Sequence, residues 1–187
     1  MDLRTATPPS GTRPLSRPRT PRDVAALVFW VRPVTLVEDL ALLSGRIVLA
    51  WVFIYYGAGK LFGAFNGPGL HATALYFSNT AHLHPGGFFA VLGGLVEFSS
   101  AIGMGLGLGV RLAGLALFGD MVMAMITVTW STGLNTNNPP PGYQLNLALG
   151  VLALVIAALG AGRFSLDAVV DRQLLSSGPA ASSGAGR

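Results

Sequence analysis

Four ionisable side chains lie inside otherwise apolar stretches of this chain: Arg46, Lys60, Glu97 and Asp120. A charge at the centre of a membrane helix costs about 2.5–3.5 kcal/mol on insertion scales, so each needs a partner or a purpose. Two carboxylates and two cations in apolar surroundings support three kinds of chemistry. They could form a structural ion pair, or hold and release protons, or contact the polar head of a ligand between helices. Buried acids of this kind could deliver protons to a quinone or bind a transported cation.

The depth of each group follows from the helical rise. Arg46 falls about two turns inside the first apolar stretch, roughly 8 Å from its inner end. By the same rise Asp120 lies about 13 Å and Glu97 about 16 Å from that surface. An extended arginine covers part of this difference, so Arg46, Asp120 and Glu97 are expected to form a triad if their helices are neighbours. Lys60 lies near the outer end of its stretch, where snorkelling to the interface accounts for it. It nonetheless shares a face with Arg46, being four turns less about 40° further on.

The faces that carry the acids are small or polar. Ala90, Gly93, Glu97, Ser100 and Met104 share one stripe. Ala113, Ala116, Asp120, Ala124, Thr127 and Ser131 share a second, and Asn146, Gly150, Ala153 and Ala157 a third. Such stripes let membrane helices approach closely, so the acids are expected on packing faces.

The elements that position these groups are apolar runs long enough to cross a bilayer. Of 187 residues, 51% are hydrophobic and only 11% charged. A soluble domain is about one-quarter charged. So few charges suit a chain solvated by lipid. A crossing helix needs about 20 apolar residues, and residues 40–65, 87–108, 110–131 and 143–161 supply four. The expected fold is an all-α integral membrane four-helix bundle, with a short interfacial segment before the first span and a helical outer loop. The domain layout is a disordered cytoplasmic tail (1–22), an interfacial segment (23–39) broken at Pro33, the membrane domain (40–164), and a cytoplasmic helix (166–175) within a final tail (165–187).

Charge sets the orientation. Arg4, Arg13, Arg17, Arg19, Arg22 and Arg32 precede the first span, Arg163, Arg172 and Arg187 follow the last, and Arg111 marks the turn between spans two and three. Residues 66–85 and 132–142 hold neither Lys nor Arg. The positive-inside rule places both termini in the cytoplasm of a plasma-membrane protein. The first apolar run, 24–31, is too short to span and follows a long Arg- and Pro-rich segment, which disfavours a cleavable signal peptide. Trp130 and Tyr143 suit an outer aromatic belt.

Several chemistries are excluded or disfavoured. There is no cysteine, hence no disulfide, thiolate catalysis or Cys-ligated cluster within the chain. His71, His82 and His84 fall in the outer loop, and no span carries an axial haem ligand. His82 and His84 alone make a poor metal site, so no metal is expected. Gly103, Gly105, Gly107 and Gly109 alternate as in a nucleotide loop, but they follow a membrane helix and lack a phosphate-binding lysine. The basic residues follow topology, so no nucleic-acid partner is expected.

Over residues 40–167 the chain resembles the DoxX family. The resemblance rests on Arg46, Gly57-Ala58-Gly59-Lys60-Leu61, Asn66-Gly67-Pro68-Gly69, Gly93-Gly94-Leu95-Val96-Glu97, Gly109-Val110-Arg111 and Gly160-Ala161-Gly162-Arg163-Phe164-Ser165-Leu166-Asp167. Asp120 lies outside that pattern. The resemblance implies a four-helix membrane protein linked to redox assemblies. DoxD-like members are associated with thiosulfate:quinone oxidoreductase or terminal quinol oxidase complexes, and DoxX members with a superoxide dismutase and a sulfurtransferase. An enzymatic role, where one exists, would be that of a membrane subunit of a quinone oxidoreductase. A quinone is the expected ligand and no covalent cofactor is expected. The expected partners are the lipid bilayer, soluble redox proteins at the cytoplasmic face, and further copies of the chain. The competing expectations are a non-catalytic membrane anchor or assembly protein, and a small transporter, for which no inverted repeat is found.

Overall fold

The computed structural model describes residues 35–135, 137 and 139–176. The N-terminal tail, most of the interfacial segment including Pro33, and the end of the C-terminal tail lie outside the described residues.

Helix α1 runs Leu36–Phe62. It starts at Thr35, whose hydroxyl accepts from the Glu38 N–H while the Glu38 carboxylate accepts from the Thr35 N–H. This reciprocal cap satisfies two donors that a helix N-terminus leaves open. The helix therefore begins at Leu36, four residues before the expected start of the first span. Gly63 ends it at φ 68°, a conformation that disfavours a side chain.

A 3₁₀ turn, Ala64–Asn66, leads to α2 (Gly69–Asn79), the expected helix of the outer loop. Helix α3 (Gly86–Leu106) closes on a turn with Gly107 at φ 70° and Gly109 at φ 61°. Helix α4 (Val110–Ala124) continues through a π-helical turn, Met125–Thr129, and a 3₁₀ turn, Trp130–Thr132. Helix α5 is Gln144–Leu159 and α6 is Leu166–Ser176. No strand occurs among the described residues.

The long helices pack in the ring order α1, α3, α4, α5, with α5 returning to α1 and α2 lying on α3. Leu49, Phe53, Ala101, Met104, Leu117, Ala153 and Ile156 form the centre. Glycine sets the closest crossings. A Cβ at Gly57 would lie 2.7 Å from the Phe98 backbone nitrogen, and one at Gly114 would lie 2.7 Å from the Ala153 carbonyl oxygen.

The outward faces are apolar. Ile47, Val48, Trp51, Leu112, Leu115, Ile126 and Val155 are exposed, far more than a water-facing surface carries in one molecule. Helix α3 and the helix Val110–Thr132 are long and apolar enough to cross a membrane. Helix α1 has 27 residues but carries Glu38, Asp39, Arg46 and Lys60. Helix α5 has 16 residues, about 24 Å of rise against a hydrocarbon core of about 30 Å. Trp130 and Tyr143 stack with ring centroids 5.4 Å apart.

Candidate functional site: a cleft beneath the outer helix

The Gly57–Phe98 crossing brings α1 and α3 into backbone contact. Lys60 stands one turn further along α1 and Glu97 just before Phe98, so the two side chains meet. Lys60 Nζ donates to Glu97 Oε1 at 2.6 Å. The Glu97 side chain is 3% exposed and that of Lys60 25%. The expectation that Lys60 snorkels to the interface is therefore corrected: its ammonium turns inward to a buried carboxylate.

Asp120 approaches from α4. Its carboxyl lies within hydrogen-bonding reach of the Glu97 carboxyl and within the electrostatic range of Lys60. Gly93 adjoins it, and a Cβ there would make ordinary van der Waals contact with Asp120 Oδ1 at 3.8 Å. Glu97 Oε2 and Asp120 Oδ2 are both buried without a donor. Ionised carboxyls only accept, so contact between two of them closes through a proton or an added donor.

The cluster lines a partly open cleft of about 890 Å³, within the usual range of about 300–1,000 Å³ for small-molecule sites. Its wall is apolar and aromatic, with Phe53 and Tyr56 from α1, Tyr76 and Phe77 from α2, Phe89 from α3 and Met121 from α4. Thr127, Thr129 and Asn146 line it too. Thr129 lies in the π-helical turn, and its hydroxyl oxygen is buried without a partner. The π-helical turn, frequent at functional sites, breaks the regular bonding of α4 beside the cleft.

The small stripe of α4 is thereby reassigned. Ala116, Asp120, Ala124 and Thr127 face the cleft, while Val110, Ala113, Gly114, Leu117 and Met121 form the buried face. The stripe of α3 packs largely as expected, with Ala90, Glu97, Ser100 and Met104 buried.

Arg46 is not part of the cluster. It lies 14 residues before Lys60 on α1, about 21 Å away along the axis. Its guanidinium is buried at the opposite end of the bundle. Nε donates to the Met104 carbonyl at 2.9 Å, and Nη1 donates to Ala161 and Phe164 carbonyls at 2.6 and 3.0 Å. Met104 lies in the last turn of α3, and Ala161 and Phe164 lie in the connection between α5 and α6, so Arg46 ties these two segments together. The expected Arg46–Asp120–Glu97 triad is replaced by Lys60–Glu97–Asp120.

Four further side chains hold that end together. Asp167 accepts from the Gly109 N–H at 2.7 Å and the Val110 N–H at 3.1 Å, capping α4. Asp39 accepts from the Arg163 N–H at 2.8 Å and from the Arg163 guanidinium. Burial pushes the Asp39 carboxyl up, but the Arg163 N–H and guanidinium outweigh it and hold the group below the usual carboxylate range. Arg111 donates to the Ala157 and Ala158 carbonyls at the end of α5. In the sequence Asp167 enters only through the motif 160–167 and Asp39 carries no signal, so neither is legible as a partner for these backbone groups.

Residues 41–130 match the DoxX family model, and this stretch carries Arg46, Lys60, Glu97 and Asp120. No curated protein and no solved structure matches the chain. Residues 41–130 are thus a DoxX domain, and together with the two long apolar helices they point to a membrane protein.

Proposed function

We propose that the chain is the quinone-binding membrane component of an oxidoreductase or oxidative-stress assembly, with the ring held in the cleft beside Lys60, Glu97 and Asp120. The carrying observation is one partly open apolar cleft with a single charged corner. Aromatic and Met side chains accept a flat apolar ring and its tail, while the charged corner orients a polar head. Quinone reduction takes up two electrons and two protons. Lys60 and the carboxyl pair can exchange protons with the bound head, and a partner's redox centre would supply the electrons, since without cysteine the chain has no thiol couple or Cys-ligated cluster of its own. Arg46, committed to backbone carbonyls, has a structural role in this reading.

In the membrane we place all four long helices as spans, with both termini on the cytoplasmic side of the plasma membrane. The lack of Lys and Arg in residues 66–85 and 132–142 supports that orientation. The cleft then lies toward the outer leaflet, beneath α2.

Protein purified in a mild detergent should retain quinone in its lipid extract, or rebind it after delipidation. Lys60→Met, which removes the ammonium donor of the charged corner, should lower the retained amount at least tenfold. Absence of quinone binding to the wild type, or equal retention by Lys60→Met, would overturn the proposal.

A membrane anchor is the second reading. Leu166, Val169 and Leu174 are exposed on α6, which gives soluble partners an apolar docking surface at the inner end. Crosslinking should then recover partners from the wild type and from Glu97→Gln alike, and lose them when α6 is removed.

A further inference from the structure

The hydrogen-bond balance of the cleft is uneven. Glu97 Oε2 and Asp120 Oδ2 are buried acceptors without a donor, and the Thr129 hydroxyl oxygen is also unpartnered. The other threonine hydroxyls along the wall are already used. Thr73 donates to the Gly69 carbonyl and Thr127 to the Met123 carbonyl, each at 2.8 Å, so they present lone pairs to the cleft. Tyr56, Tyr76 and Asn146 also line it, but among the described residues only Lys60 donates to the carboxyl pair. Two buried carboxyl oxygens, Glu97 Oε2 and Asp120 Oδ2, are therefore left for a ligand's donor.

Resting on the reading of the cleft as a quinone site, we propose that it selects the reduced form: a quinol or phenol hydroxyl that donates to the Glu97–Asp120 pair binds in preference to a quinone carbonyl. A carbonyl only accepts and would leave the same buried oxygens unpaired. A hydroxyl supplies the missing donor. A site built to bond a hydroxyl rejects the analogue that lacks it far more strongly than an apolar pocket rejects a methylene. A tenfold preference for quinol raises the midpoint potential of the bound two-electron couple by about 30 mV.

Full-length protein in lipid nanodiscs tests this by equilibrium binding, corrected for partition into empty nanodiscs. The first probe pair is 4-nonylphenol and its O-methyl ether, which differ in the hydroxyl donor. The second pair is a decyl-benzoquinol and its quinone under anaerobic conditions. The phenol and the quinol should each bind at least tenfold tighter than their partners. Asp120→Asn or Glu97→Gln, each replacing an acceptor oxygen with a donor amide, should cut that ratio to threefold or less.

Equal binding within either pair, or tighter binding of the quinone, overturns the selectivity while leaving the cleft as a ligand site. Tighter binding of decylammonium than of nonylphenol overturns it in favour of a cation site. If no probe binds, the quinone reading fails together with it. The wild-type comparison needs no variant, so a variant that fails to fold leaves the test intact.

Discussion

Glu97 has one oxygen on the Lys60 ammonium and the other buried without a donor. Removing the ammonium leaves a buried carboxylate with no counter-charge, and breaking one side of such a pair costs about 3 kcal/mol, at the low end because Lys60 keeps some exposure. Lys60→Met should therefore lower the thermal stability of the purified protein, and Lys60→Met with Glu97→Gln should recover most of the loss. A snorkelling lysine would make Lys60→Met neutral, and the second change would then restore nothing. The Lys60–Glu97 contact was not legible from the sequence. Helical rise gives the height of a charge in the bilayer but not its neighbours, and the pairing depends on Gly57 letting α1 touch α3. The position of Arg46 was hidden for a related reason. Its partners are backbone carbonyls of a last helical turn and a connection, which come together only once the turns are formed.

The helices themselves were more legible than their contacts. Hydrophobic length located α3 and the continuous helical stretch Val110–Thr132 to within about two residues at each end, the usual uncertainty of a helix boundary. The start of α1 was missed because the Thr35–Glu38 cap lies in a polar stretch that hydropathy ignores. The stripe of α4 was legible as small and polar, but small residues fit a cleft as well as a helix contact. At this scale Gly57 and Gly114 are the sensitive positions. Gly57→Ala places a methyl against the Phe98 backbone and should destabilise by about 1–3 kcal/mol through overpacking. It should also weaken quinone retention, because it displaces Lys60 from Glu97. Chemical denaturation and quinone extraction on one preparation would measure both effects.

The closed end of the bundle responds to pH through Asp39. Its carboxyl is held below the usual carboxylate range by Arg163 against the opposing effect of burial. A depressed folded value means the unfolded chain binds the proton more readily. The stability from this pair is thus fully present above about pH 4, the ordinary carboxylate value, and is lost as pH falls through the lower folded value. Asp39→Asn should cost about 1.5–3 kcal/mol at neutral pH, as expected for hydrogen bonds to a charged group. It should also flatten the acid limb of stability below pH 4. Unfolding midpoints of the two proteins from pH 7 to 3 would converge if the account holds and stay parallel if it does not.

For the whole molecule, the division of labour is spatial. One end is closed by Arg46, Asp39–Arg163 and Asp167, all tied to backbone groups. The opposite half opens into the cleft under α2. Which end faces the cytoplasm is the proposed topology, and the absence of native cysteine makes it simple to check. His82→Cys, in the outer connection, should react with a membrane-impermeant maleimide in intact cells. Arg172→Cys, on α6, should react only after permeabilisation. The reverse pattern would invert the molecule.

The most direct test of the central claim is photolabelling with an azido-quinone, followed by peptide mapping. The cleft account predicts that label falls on peptides carrying Tyr76, Phe77 and Met121, that an excess of unlabelled quinone removes it, and that Lys60→Met reduces it. Label confined to the lipid-facing residues, or label in the cleft that unlabelled quinone does not displace, would contradict the account.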